Sequence, residues 1–241
     1  MGKHGFIPPA DFLAKLRPTD KQDLLSVGTR QESKKNEIIF QAGSPGDNVY
    51  FLVSGRAKIY QLAHTSAKEV ILWFCFPGEM FGLAEVCRQE KRGVYARACT
   101  DSELLKISQS DFKDFIRTHS DAAWLTIDLL SCRMRVLGDM LLNLAADDVN
   151  SRVIKLLLRL TAYYGKTIDN ETYLDINLTH QEMADMIGAS RQTVSSILGD
   201  LKKQDILFIK NQCIHIKSTE SLENMIDHRA STVSFTPATQ M

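Results

Sequence analysis

Between positions 123 and 144 the residues Ala123, Ile127, Leu130, Met134, Leu137, Leu141 and Leu144 recur at alternating intervals of four and three. That spacing lays one apolar seam along an α-helix in the manner of a coiled coil, and neither a strand nor a loop satisfies it. Such a seam asks for a partner, because each Leu or Met removed from water contributes roughly 1.5–3 kcal/mol before chain entropy is counted. The partner could be the rest of the chain or a second copy. Trp124, Leu125, Leu129, Val136 and Met140 form a second apolar set on the same helix, suited to packing on the rest of the chain. The seam residues Ile127, Leu130, Met134, Leu137, Leu141 and Leu144 are then left for a homodimer.

Upstream of this helix the apolar period is two. Short β-branched and aromatic runs at 37–40, 48–53, 57–61, 69–76, 94–99 and 103–107 are separated by Gly43, Gly46, Gly55, Gly78, Gly82 and Gly93. This is the pattern of an antiparallel β-roll or jelly roll, with glycine where the backbone turns or bulges. With 241 residues and 44% hydrophobic content the chain buries a core without covalent staples. Cysteines at 75, 87, 99, 132 and 213 are odd in number and never form a C-x-x-C pair, so they read as buried small hydrophobes rather than disulfides or zinc ligands. The longest apolar run, 70–76, is far too short to span a bilayer, and the first ten residues lack the features of a secretory signal. A cytoplasmic protein without a membrane partner is expected. The first few residues and the tail from His228 are expected to lack structure.

Downstream, Asp147-Asp148 reads as the start of a helix ending near Gly165. Thr179-His180-Gln181-Glu182 is a capping box, Gly188 permits a tight turn, and Ser190 caps a second helix over 191–202. That helix buries Val194, Ile197, Leu198 and Leu201 and turns Arg191, Gln192, Ser195 and Ser196 outward. A strand pair at 206–209 and 213–216 completes a winged helix-turn-helix, whose outward side chains would meet a DNA major groove. Overall charge is zero, with 29 basic and 29 acidic residues, so any nucleic-acid surface must be local. It is local here: residues 189–217 carry Arg191, Lys202, Lys203, Lys210 and Lys217 against Asp200 and Asp205. Candidate DNA contacts are Thr179, Ser190, Arg191, Gln192, Ser195, Ser196, Lys202 and Lys210. A helix pair and a solvated basic face also occur in proteins that never meet DNA; the seam just upstream, which would present two recognition helices, favours DNA.

The order of these parts, with FLVSGRAKIY at 51–60, PGEMFG at 77–82, Arg97-Ala98, Ile107-Ser108, NLA at 143–145 and GASRQTV at 188–194, resembles the Crp/Fnr family of bacterial transcription regulators over roughly residues 20–220. The resemblance implies an α+β architecture: an antiparallel β-roll (jelly roll) sensor domain, a long dimerisation helix and a winged helix-turn-helix. It divides the chain into an N-terminal segment (1–19), a β-roll of the effector-binding type (20–118), a dimerisation helix (119–147), a DNA-binding domain (148–220) and a C-terminal tail (221–241). It also implies that Arg191 reads guanine, while Gln192 and Ser196 stand where glutamate and arginine are usual, so the half-site should differ from that of the best-known members.

The family's effector sites match only in part. At the positions used by members that answer to cyclic AMP, this chain has Leu83 for a glutamate, Arg92-Gly93 for Arg-Ser and Leu137-Gly138 for Thr-Ser. Cyclic AMP is disfavoured, because its buried polar groups would lose their partners. An N-terminal iron–sulfur cluster is disfavoured because no cysteine precedes Cys75. The haem-bearing members' cysteine and histidine are here Gly82 and Ala84, though haem ligation through His64 or Cys75 stays open. The cyanobacterial members that bind 2-oxoglutarate match best, through Phe81, Gly82, Leu83, Arg92 and Arg133, with Gly138 replacing a helpful glutamate. Two arginines suit a dicarboxylate, but Arg133 also reads as a surface or salt-bridging residue. The effector is therefore open between 2-oxoglutarate and no ligand. No metal site and no catalytic motif is read from the chain. The function implied is a homodimeric regulator that binds a palindromic operator in double-stranded DNA and engages RNA polymerase. The alternatives are a haem- or redox-responsive sensor of the same architecture and a ligand-independent regulator controlled by abundance.

Overall fold

The computed structural model describes residues 11–86, 90–168, 171–210 and 213–231, which fall into two bodies divided between Gly138 and Asp139. The first body opens with helices α1 (Phe12–Lys15) and α2 (Pro18–Ser26). Eight strands follow: β1 (Thr29–Ser33), β2 (Ile38–Phe40), β3 (Asn48–Ser54), β4 (Ala57–Leu62), β5 (Glu69–Cys75), β6 (Met80–Phe81), β7 (Tyr95–Ala98) and β8 (Ser102–Ser108). They form two antiparallel four-stranded sheets, ordered β1-β8-β3-β6 and β2-β7-β4-β5. Strand β3 explains why this stretch of sequence is apolar without alternation. Its Tyr50 and Leu52 enter the core between the sheets with Phe40, Ile59, Phe81 and Leu104, while Val49 and Phe51 face the other way, onto Phe12, Leu24 and Phe112. A strand covered on both faces has no polar side.

Ser108 caps α3 (Gln109–Thr118) by accepting from the Asp111 backbone N–H, and α4 (Ser120–Ala146) follows. The 27 residues of α4 make it about 40 Å long. Its stripe facing the roll is Ala122, Thr126, Leu129, Cys132 and Arg133, with Leu125 packed beside it. This stripe repeats the four-three spacing of the seam one residue earlier, so the two lie side by side. The seam itself is bare: Ile127 is 52% exposed, Met134 71% and Leu141 70%. Trp124, expected against the roll, is instead 71% exposed and widens the bare face. The small and polar residues of the inner stripe take the place foreseen for Trp124, and Val136 is only half-buried.

The second body begins with the last turns of α4 and contains α5 (Val149–Tyr164), β9 (Gly165–Ile168), β10 (Glu171–Leu174), α6 (His180–Ile187), α7 (Arg191–Lys203), β11 (Leu207–Lys210), β12 (Cys213–Ile216) and α8 (Thr219–Ser231). Met140, foreseen against the roll, belongs to this body. Asp148 caps α5 by accepting from Ser151 N at 2.7 Å. The wing strands sit in a four-stranded sheet ordered β11-β12-β10-β9. Helix α8 corrects the tail expected from His228: it runs to Ser231 and buries Leu222 completely. The first residues, Cys87, Asn211 and Gln212, where the wing turn is expected, and the chain beyond Ser231 lie outside the described residues. Among the described residues no helix is long and apolar enough to cross a membrane.

Candidate nucleic-acid interface and roll cavity

Local chemistry fixes the helix pair. Thr179 Oγ1 accepts from Glu182 N at 3.1 Å while Glu182 Oε2 accepts from Thr179 N at 2.8 Å, so two otherwise unpaired N–H groups at the start of α6 are satisfied reciprocally. At its other end Gly188 adopts the left-handed conformation, φ 65°, that lets the chain reverse. Ser190 then caps α7, accepting from Thr193 N at 3.0 Å. Val194, Leu198 and Leu201 are buried in the same body as Met183, Ala184 and Ile187 of α6, and Ile197 is half-buried.

The opposite face of α7 is bare and basic. Arg191, Gln192 and Ser196 are exposed at its first two turns, with Lys202 at its end and Lys210 on β11. Thr179 and Ser190 are also exposed, although their hydroxyls serve the caps. Ser195 differs from the sequence expectation: it is half-buried, and its hydroxyl lies 2.7 Å from His180 Nδ1, tying α7 to α6. Lys203 pairs with Asp200 at 3.0 Å and Lys217 with Asp205 at 2.6 Å. Among the described residues Arg191, Lys202 and Lys210 form no ion pair, so three cations per chain remain for phosphate or base.

The roll holds a cavity of about 280 Å³, walled by Phe40, Ile59, Trp73, Leu83 and Val94 and by Leu130, Arg133, Met134 and Leu137 of α4. Gly82 and Glu85 also line it, whereas the Phe81 ring is wholly buried, stacked on Tyr50 with centroids 5.4 Å apart. Gly82 needs its lack of a side chain twice over: its φ is +79°, and a Cβ there would lie 2.9 Å from Arg92 Nη1. Arg92 is 3% exposed and both its Nη atoms donate, while its buried Nε has no hydrogen-bond partner among the described residues. Nη1 donates to Gly82 O at 2.9 Å and to Glu85 Oε2 at 2.7 Å, and Nη2 donates to Asn48 O. Glu85 was not foreseen from the sequence, yet it neutralises the arginine assigned to an effector.

Arg133 is buried as well, which corrects the surface reading. Its Nη2 donates to Met80 O at 2.6 Å and its guanidinium lies over Trp73, 4.9 Å from the centroid. Beside it, burial pushes the Glu79 carboxyl up to about 7, against the opposing pull of the Arg133 charge. Cys75 is wholly buried, and desolvation raises its thiol to about 12, the behaviour of a packing residue. His64 is exposed, and among the described residues no three His, Cys, Asp or Glu side chains are grouped to hold a metal.

Residues 30–119 match the family model of the cyclic nucleotide-binding domain, and residues 151–225 match that of the Crp-like helix-turn-helix domain. The chain is 28% identical over 190 residues to the global nitrogen regulator of Synechocystis, covering 78% of this chain and 84% of that one. It is 27% identical over 188 residues to the CRP-like cAMP-activated global transcriptional regulator of Mycobacterium tuberculosis, covering 78% and 84%. Among solved structures, a CooA mutant from Carboxydothermus hydrogenoformans has the same fold, with a TM-score of 0.76 at 22% identity, covering 91% of this chain and 96% of that one.

Proposed function

The chain belongs to the Crp/Fnr family of DNA-binding transcription regulators, and we propose that it works as a homodimer on a palindromic operator, without cyclic AMP as its signal. The observation that carries this reading is the bare seam of α4: Ile127, Leu130, Met134, Leu137, Leu141 and Leu144 are each at least 37% exposed in the single chain. A continuous apolar face of this length is costly in water, and its coiled-coil spacing suits an identical helix. A two-fold axis along it gives two copies of α7, whose Arg191, Gln192 and Ser196 take the base-reading positions and whose Lys202 meets phosphate together with Lys210. In this reading the roll over 20–118 is the sensor-type domain, 119–147 the dimerisation helix and 148–220 the DNA-binding domain, with RNA polymerase as partner at the promoter and the cytoplasm as the place of action.

The roll cavity supports the exclusion of cyclic AMP. A cyclic phosphate at Arg92 would have to displace Glu85, leaving a buried carboxylate without its partner, which costs several kcal/mol. The same argument weighs against 2-oxoglutarate at Arg92; Arg133 gives only its Nη2 to Met80 O and lies over the Trp73 ring, and its buried Nε has no hydrogen-bond partner among the described residues. Control by abundance, or by a ligand suited to the apolar wall, fits better.

The test is selection of a random-core palindromic duplex pool by the ligand-free protein at fixed salt. Enrichment of one palindrome, bound as two chains per duplex, is the expected result. Binding that never discriminates selected from scrambled duplex, with or without added cyclic AMP, would remove the operator reading.

A further inference from the structure

One face of α5, within the second body, carries a charge imbalance that DNA contact does not use. Arg152, Lys155 and Arg159 line one small cavity of about 20 Å³ together with Asn143, Leu144 and Met186. The space admits one oxygen-sized group and opens to solvent beyond it. Lys155 is satisfied there: Nζ donates to Asp147 Oδ2 at 2.7 Å and to Asn143 Oδ1 at 3.2 Å. Arg152 is half satisfied, with Nη1 donating to Asp147 O at 3.1 Å and a buried Nε that has no hydrogen-bond partner.

Arg159 is the telling residue. It is only 7% exposed, yet among the described residues it has neither an ion pair nor a hydrogen bond. Asp139, Tyr163 and Tyr164 act on it through space alone, and desolvation pulls its pKa below the ordinary arginine value. A buried guanidinium left unpaired is costly, and an anion in the cavity that it lines would offset that cost. Three cations face one carboxylate at contact distance, so two positive charges are unanswered.

We propose that this cavity is a binding site for a phosphate-class oxyanion, one oxygen of which enters toward Arg159 while the others meet Arg152 and Lys155 at the mouth. The charge matches, since a phosphate monoester carries about −1.5 to −2 at neutral pH, and guanidinium groups are its natural donors. A carboxylate carries one unit of charge and two oxygens, fewer than the three cations here can pair with. The site touches the last turns of α4, α5 and, through Met186 and Ile187, α6, so an occupant would brace the helix-turn-helix from behind. The cluster is separate from Arg191, Lys202 and Lys210 and does not depend on what, if anything, the roll binds.

The test is thermal unfolding and calorimetric titration of the full chain with inorganic phosphate, against chloride at equal ionic strength. Wild type should gain several degrees in Tm in a saturable manner, and Arg159→Met should bind phosphate about tenfold more weakly or not at all. In phosphate-free buffer Arg159→Met should melt no lower than wild type, because it removes an unpaired buried charge. If that variant does not fold, Lys155→Gln, at a half-exposed position, should weaken phosphate without loss of the fold. A wild-type Tm that responds equally to chloride and phosphate overturns the proposal. So does an Arg159→Met protein that melts well below wild type in both buffers yet keeps the phosphate response.

Discussion

At the scale of single residues, the chemistry of this chain lies in how buried charges are answered. Glu79 is the clearest case, with Arg133 and the Phe76 backbone N–H holding its carboxylate form and burial and Asp11 opposing it. Its folded pKa, about 7, lies above the ordinary value of 4.5. Between those two values the native state holds a proton that the unfolded chain has released, so stability falls as pH rises through this window. The whole effect amounts to roughly 3 kcal/mol. Glu79→Gln should remove it: denaturant titrations from pH 4.5 to 7.5 should show wild type losing stability relative to the variant, and parallel curves would mean that Glu79 ionises freely. Arg191 poses the opposite case, an exposed side chain whose loss costs the fold nothing. Arg191→Ala should keep the fold and dimer mass while losing about 1–3 kcal/mol of discrimination between selected and scrambled duplex, measured by anisotropy.

At the scale of elements, α4 carries two stripes one residue out of register, and the prediction follows from their different exposures. Leu141 is 70% exposed and lies on the outer stripe, so Leu141→Asp removes little intramolecular packing. It should halve the mass measured by light scattering at micromolar concentration without lowering helix content; an unchanged mass would mean the seam pairs with something other than its copy. The seam could be read in advance because its letters are apolar. The inner stripe could not, since Thr126, Cys132 and Arg133 do not announce a buried face, and Trp124 drew the reading toward the wrong side. The helix pair was legible for a different reason: capping box, Gly188 and the Ser190 cap are short-range devices, each complete within four residues. Strand β1, TRQES, lies at a sheet edge with mostly exposed side chains and so shows no apolar alternation. Among the side chains described in helix α8, Leu222 is the buried one. Glu85 was missed as Arg92's partner because nothing in their spacing along the chain specifies that contact.

At the scale of the whole molecule, formal charge is zero, so attraction to DNA cannot come from a general field. It must come from the cations left over after internal pairing. Lys203 and Lys217 are spent on Asp200 and Asp205, while Lys202 and Lys210 stay exposed without an ion pair among the described residues. A homodimer therefore brings four such lysines to phosphate, and at about 0.9 counterions released per phosphate the plot of log K against log salt should have a slope near −4. Lys202→Gln, changed in both copies, should reduce the slope by about two and weaken selected and scrambled duplex alike, because phosphate contacts carry no sequence information. Arg191→Ala should instead act chiefly on the selected duplex. The two variants thus separate affinity from reading. A Lys202→Gln protein with an unchanged slope would place that end of α7 away from the backbone and shift the electrostatic load to β11.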